Sequence, residues 1–128
     1  VLASVAVAVV LACLAVFQIA LACGAPLGRY AFGGRHEREL PRSLRVASAV
    51  TVLLYAALAA VVLDRGGTID VLPAGTSRIG AWVAVAIFAL GALPNAASRS
   101  RHERYVMTPT TVVLAILSLV VALGPAGD

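Results

Sequence analysis

Four stretches of this chain carry no formal charge and are long enough to cross a bilayer: Val1–Gly28, Val46–Leu63, Ile79–Ser98 and Tyr105–Gly127. A hydrocarbon core about 30 Å thick needs roughly 20 helical residues at 1.5 Å each. Backbone in lipid has no water to bond with, so each stretch must satisfy its own N–H and C=O groups as a helix. The expected fold is all-α: a membrane four-helix bundle with spans at about 1–23, 43–63, 78–97 and 107–123. Little of the 128 residues is left for a soluble unit, so 1–128 reads as one integral membrane domain. A charged fraction of 12% agrees, against about 25% in soluble proteins.

Charge placement orients the spans. All ten basic residues are arginine. Arg29, Arg35, Arg38, Arg42 and Arg45 lie between the first and second spans, and Arg99, Arg101 and Arg104 between the third and fourth. Only Arg65 and Arg78 lie on the other side. Arginine-rich short loops resist translocation. The expectation is a multi-pass protein of the cell (inner) membrane with these two loops cytoplasmic and both termini outside. Trp82 at one interface and Tyr30 and Tyr105 at the other fit aromatic anchors.

Helix ends are also legible. Thr108-Pro109 reads as an N-cap and first-turn proline of the fourth helix, and Gly124-Pro125 as its end. Pro94 falls in the last turn of the third helix and is expected to kink it. Gly66, Gly67, Pro73 and Gly75 mark Asp64–Arg78 as an irregular connection.

Lipid tails are as apolar as leucine, so helices in a bilayer associate through small residues and polar contacts. Small or polar stripes recur at helical spacing: Ser4, Ala8, Ala12 and Ala15; Ser48, Thr51 and Tyr55; Gly80, Ala84, Gly91 and Asn95; Thr111, Ala115, Ser118 and Ala122. The span centres hold no ionisable residue, which argues against proton-driven antiport. Gln18 and Asn95 are the amides within the spans, and each needs a polar partner. They define a candidate polar cavity of Gln18, Tyr55, Asn95 and Ser98 at the arginine-rich end.

Other motifs carry less. Cys13 and Cys23 are about 15 Å apart along one helix, too far for a disulfide. Gly24-Ala-Pro-Leu-Gly28 and Gly33-Gly34 lack the Gly-Lys-Ser/Thr ending of a phosphate-binding loop and read as a turn close to the membrane. His36, Glu37, His102 and Glu103 could ligate a metal only if their loops meet, and solvated loops are expected. Arg35-His-Glu-Arg38 recurs as Arg101-His-Glu-Arg104, as a duplicated two-helix hairpin would produce. That reading pairs Glu37 with Arg104 and Glu103 with Arg38 across the two loops, with each copy about five residues ahead of its helix.

Phe17-Gln18, Gly24-Ala25-Pro26-Leu27-Gly28, Gly33-Gly34, Leu40-Pro41, Asn95, Ser98-Arg99-Ser100, Glu103-Arg104 and Pro109 together resemble a group of small four-span actinobacterial membrane proteins. The resemblance covers nearly the whole chain and implies the four-helix fold. The group has no assigned activity, so it implies no reaction. Small multidrug exporters, also four-span, differ in carrying a glutamate in the first span.

No nucleophile–base pair or metal cluster is visible, so no enzyme chemistry, catalytic residue or cofactor is expected. The first functional expectation is a structural or interaction protein of the membrane. Its partners are the lipid bilayer, a second copy or another membrane protein, and not nucleic acid. The alternative is a small permease or channel for a neutral or weakly polar solute, using the Gln18/Asn95 region.

Overall fold

The computed structural model describes residues 2–34, 36, 38–98 and 100–124, leaving aside the side chains of Arg29 and Ala74. Four helices follow from the four charge-free stretches: α1 (Leu2–Ala22), α2 (Arg42–Arg65), α3 (Ala74–Ala96) and α4 (Thr108–Leu123). A π-helical turn, Glu103–Met107, runs straight into α4. There is no strand among the described residues. The helices give four spans long and apolar enough to cross a membrane, the fourth being Glu103–Leu123. Its 21 residues reach about 31 Å, close to the bilayer core.

The bundle runs up, down, up, down. α1 packs along α2 and α3 along α4, while α2 beside α3 and α1 beside α4 close the ring. Val7, Leu11, Leu58, Val62, Ala84, Phe88, Leu114 and Val121 form its centre. Val16, Leu53, Leu90 and Val120 face outward, where lipid accepts them. Burial therefore adds little to helix association here, and close packing has to supply it. Gly66 against Ser4 of α1, and Gly80 of α3 against Val61 of α2 at 2.8 Å, are approaches tight enough to exclude a β-carbon.

Several sequence expectations need correcting. The inner face of α1 is Ser4, Val7, Leu11 and Leu21, and Ala12 is exposed. Of the small-residue stripe of α1, Ser4 is fully buried, Ala8 and Ala15 are half-buried and Ala12 is exposed, so Val7 and Leu11 fill more of the bundle centre than the alanines do. α3 begins at Ala74 rather than near 78, because Pro73 has the fixed φ that enters a helix. The connection before it is held by Asp64, whose carboxylate accepts the N–H groups of Val71 at 2.7 Å and Leu72 at 2.8 Å.

Thr108 is not the N-cap of the fourth span. The helix starts at least one turn earlier, and the Thr108 hydroxyl is buried without a partner. Pro109 has no N–H to give and its ring crowds the carbonyl one turn back. The wide π-helical turn before it gives that ring room. Pro94 lies inside α3, near its end.

Three helices end on a guanidinium borrowed from a neighbouring segment. α1, α3 and α4 carry no basic residue in their last turn. Arg45 Nε donates to Ala22 O at 3.0 Å, closing α1. Arg104 donates to Ser98 O at 2.9 Å, just beyond α3. Arg65 donates to Gly124 O at 2.6 Å and Ala122 O at 3.4 Å, closing α4. Cations at helix C-termini offset the negative end of the helix dipole and satisfy carbonyls that have no partner within the helix. Arg45, Arg65 and Arg104 thus hold the ends of the bundle.

Candidate functional site

The arginine-rich end of the bundle is roofed by the α1–α2 connection. That segment folds into two short 3-10 turns, Gly28–Tyr30 and Phe32–Gly34. Gly28 N–H donates to Arg38 O at 2.6 Å, pinning the loop's two arms together. A β-carbon at Gly28 would fall on the carbonyl oxygens of His36 and Arg38. Phe32, Gly33 and Gly34 have φ of 50°, 76° and 72°. For phenylalanine this left-handed conformation costs roughly 1–2 kcal/mol, so the surrounding contacts must hold it.

Those contacts come from the α3–α4 connection. Gly33 N–H donates to the Glu103 carboxylate at 3.2 Å. Gly34 lies against Ser100, and the Tyr30 ring meets His102 edge-on at 5.1 Å. Phe17 of α1 meets Tyr30 from the other side, with ring centroids 6.3 Å apart. The two loops therefore meet, and Glu103, expected in a solvated loop, is only 3% exposed. Its carboxylate is hydrogen-bonded by Gly33 N–H and the Ser98 hydroxyl. Three His, Cys, Asp or Glu side chains do not converge anywhere among the described residues.

Beneath this roof lies a cavity of about 150 Å³. α1 contributes Phe17 and Gln18, α2 contributes Thr51 and Tyr55, and α3 contributes Asn95. Glu103 and Thr111 come from the fourth span, and Tyr30 and Phe32 from the roof. Every helix thus places a polar group at one chamber. Gln18 is hydrogen-bonded with Tyr55, while its Oε1 is buried with no donor. Asn95 Nδ2 donates to Thr111 Oγ1 at 2.8 Å. Thr111 in turn donates to Met107 O, within the π-helical turn.

Of the four residues expected to line a polar cavity, Gln18, Tyr55 and Asn95 share this one. Ser98 does not line it, because its hydroxyl is turned to Glu103. Of the reciprocal loop pairing, only the Glu103–Arg38 half falls on described residues, and there Glu103 has other partners. Glu103 bonds to Gly33 and Ser98, Arg38 is exposed, and Arg104 caps Ser98 O while stacking over Tyr105 at 5.6 Å. Glu37, with Arg35 and Arg99, lies outside the described residues. The two Arg-His-Glu-Arg copies also differ in context. Arg101–Arg104 is helical and starts the fourth span, whereas His36 and Arg38 lie in the loop ahead of α2.

Sequence reasoning named Glu103 as a loop ion-pair partner and Thr51 and Thr111 as packing residues, did not place them at this cavity, and missed the aromatic roof. Tyr30 and Phe32 just ahead of Gly33-Gly34 were the available signal: paired glycines in a short loop bring backbone close to something. Comparison with protein-family models, curated proteins and solved structures finds no match for this chain.

Proposed function

We propose that this protein is a small membrane permease or channel for a small polar solute, with the roofed chamber as its binding site. One observation supports this reading above a purely packing role. Polar groups from all four spans meet at one cavity, and the buried Oε1 of Gln18 is left without a donor. A buried polar group without a partner is costly, and among such atoms of the described residues Gln18 Oε1 is the one whose residue lines the cavity, where a ligand would pair with it. The positive-inside bias of the arginines places the chamber at the cytoplasmic end in this reading.

The test is solute flux across proteoliposomes, followed by light scattering for urea, glycerol and ethanolamine. At least one solute should cross faster than through empty vesicles. Gln18→Leu combined with Asn95→Leu should reduce that flux at least about tenfold while leaving helix content unchanged. Flux equal to empty vesicles for every solute, from folded protein, would return the chain to a packing or interaction role.

A further inference from the structure

We infer that the chamber is a site for a small alkylammonium ion, with Glu103 as its counter-charge. The inference rests on the chamber reading above and adds the class of ligand. It comes from counting what the walls can still offer. The Thr51 hydroxyl donates to Ala47 O at 2.8 Å, Thr110 to Val106 O at 2.6 Å, and Thr111 to Met107 O. Each hydroxyl hydrogen is thereby committed to its own helix, and only lone pairs remain for a ligand. Asn95 has one amide hydrogen on Thr111, and in the roof the N–H groups of Tyr30, Ala31 and Gly33 are taken by Leu27 O, Gly28 O and Glu103. Gln18 Oε1 has no donor at all.

The donors left are the Tyr55 O–H, whose oxygen accepts from Gln18, and one amide hydrogen each on Gln18 and Asn95, so acceptors still outnumber donors around the chamber. Its wall also includes a carboxylate with no ion-pair partner among the described residues. An anionic ligand would meet the repulsion of the Glu103 carboxylate, with only these few N–H and O–H groups to set against it. A donor-rich cation meets the opposite. Phe17, Tyr30 and Tyr55 add aromatic wall, which favours an organic cation over a bare metal ion. At ~30 Å³ per water, the volume holds about five water-sized groups. That matches an amine of about five non-hydrogen atoms.

The probe is n-butylammonium chloride, added to the full chain in nanodiscs of phosphatidylglycerol. Thermal unfolding should shift upward and saturate, because a ligand that binds only the folded state stabilises it. Sodium chloride and 1-butanol at the same concentrations should give no saturable shift. Glu103→Gln should weaken the butylammonium response at least about tenfold. If that variant does not fold, Gln18→Leu, which removes the acceptor without a donor, should weaken it as well. A butylammonium shift no larger than that of sodium chloride or 1-butanol overturns the inference, as does an unchanged response in Glu103→Gln.

The two readings fail separately. Saturable binding of 1-butanol that is lost in Gln18→Leu would keep the chamber as a polar-solute site and remove the ammonium. No binding by either probe, together with no solute flux, would remove both. An ethanolamine lipid headgroup carries the same ammonium chemistry as a free amine. Nanodiscs containing phosphatidylethanolamine distinguish the sources. Retained lipid in native mass spectra with a suppressed butylammonium shift assigns the headgroup, and an unchanged shift assigns the free amine.

Discussion

Gly28→Ala is expected to destabilise the protein by about 3 kcal/mol, the upper end of the range for forcing extra volume into a packed site. The added methyl would fall on two backbone carbonyl oxygens, those of His36 and Arg38, and backbone cannot swing aside as a side chain can. If the loop yields instead, the Gly28–Arg38 hydrogen bond is lost and the roof lifts from the chamber. Gly33→Ala is the informative contrast. Nothing lies within 4 Å of a β-carbon there, but φ is +76°. Only the left-handed penalty applies, roughly 1 kcal/mol. Reversible unfolding in mixed micelles should rank Gly28→Ala well below Gly33→Ala. Equal effects would mean that the loop does not close back on itself as described.

Arg65→Gln is expected to cost about 2 kcal/mol. Its guanidinium reaches Gly124 O and Ala122 O, and hydrogen bonds from charged donors each contribute roughly 1.5–3 kcal/mol. Relief of the buried Arg65 Nε, which has no partner, offsets part of the loss. Arg65→Lys keeps the charge near the end of α4 but not the planar fork, so it should recover about half. Arg45→Gln removes a single bond to Ala22 O and should cost less than Arg65→Gln. The same micelle unfolding measurement ranks the three variants. An Arg65→Gln protein as stable as the parent would reduce these arginines to topology signals.

The spans could be read from the chain because lipid leaves the backbone no alternative to a helix, and because charge ends each apolar run sharply. Where a helix starts was harder to read. Thr108-Pro109 has the local chemistry of a cap, yet the helix continues upstream because a π-helical turn accommodates the proline ring. That accommodation is set by packing and leaves no local pattern. Gln18 and Asn95 lie near the arginine-rich ends of α1 and α3, and Tyr55, from the middle of α2, meets them at one chamber. The role of Glu103 escaped because its partner, Gly33, is 70 residues away in a loop that has no periodicity. Charge beside a span reads as solvated unless the fold above it is known. The same gap hid the roof, whose hydrogen bonds are irregular and whose aromatic contacts cross between the two hairpins.

Amide hydrogen exchange in nanodiscs tests the closed chamber most directly. Gly28, Ala31, Gly33 and Gly34 each donate a backbone hydrogen bond, to Arg38 O, Gly28 O, the Glu103 carboxylate and Ala31 O. These four amides should exchange far more slowly than an open loop, and Glu103→Ala should release Gly33 before the helices change. Exchange at open-loop rates across Gly28–Gly34, while the core helices stay protected, would contradict a roofed site.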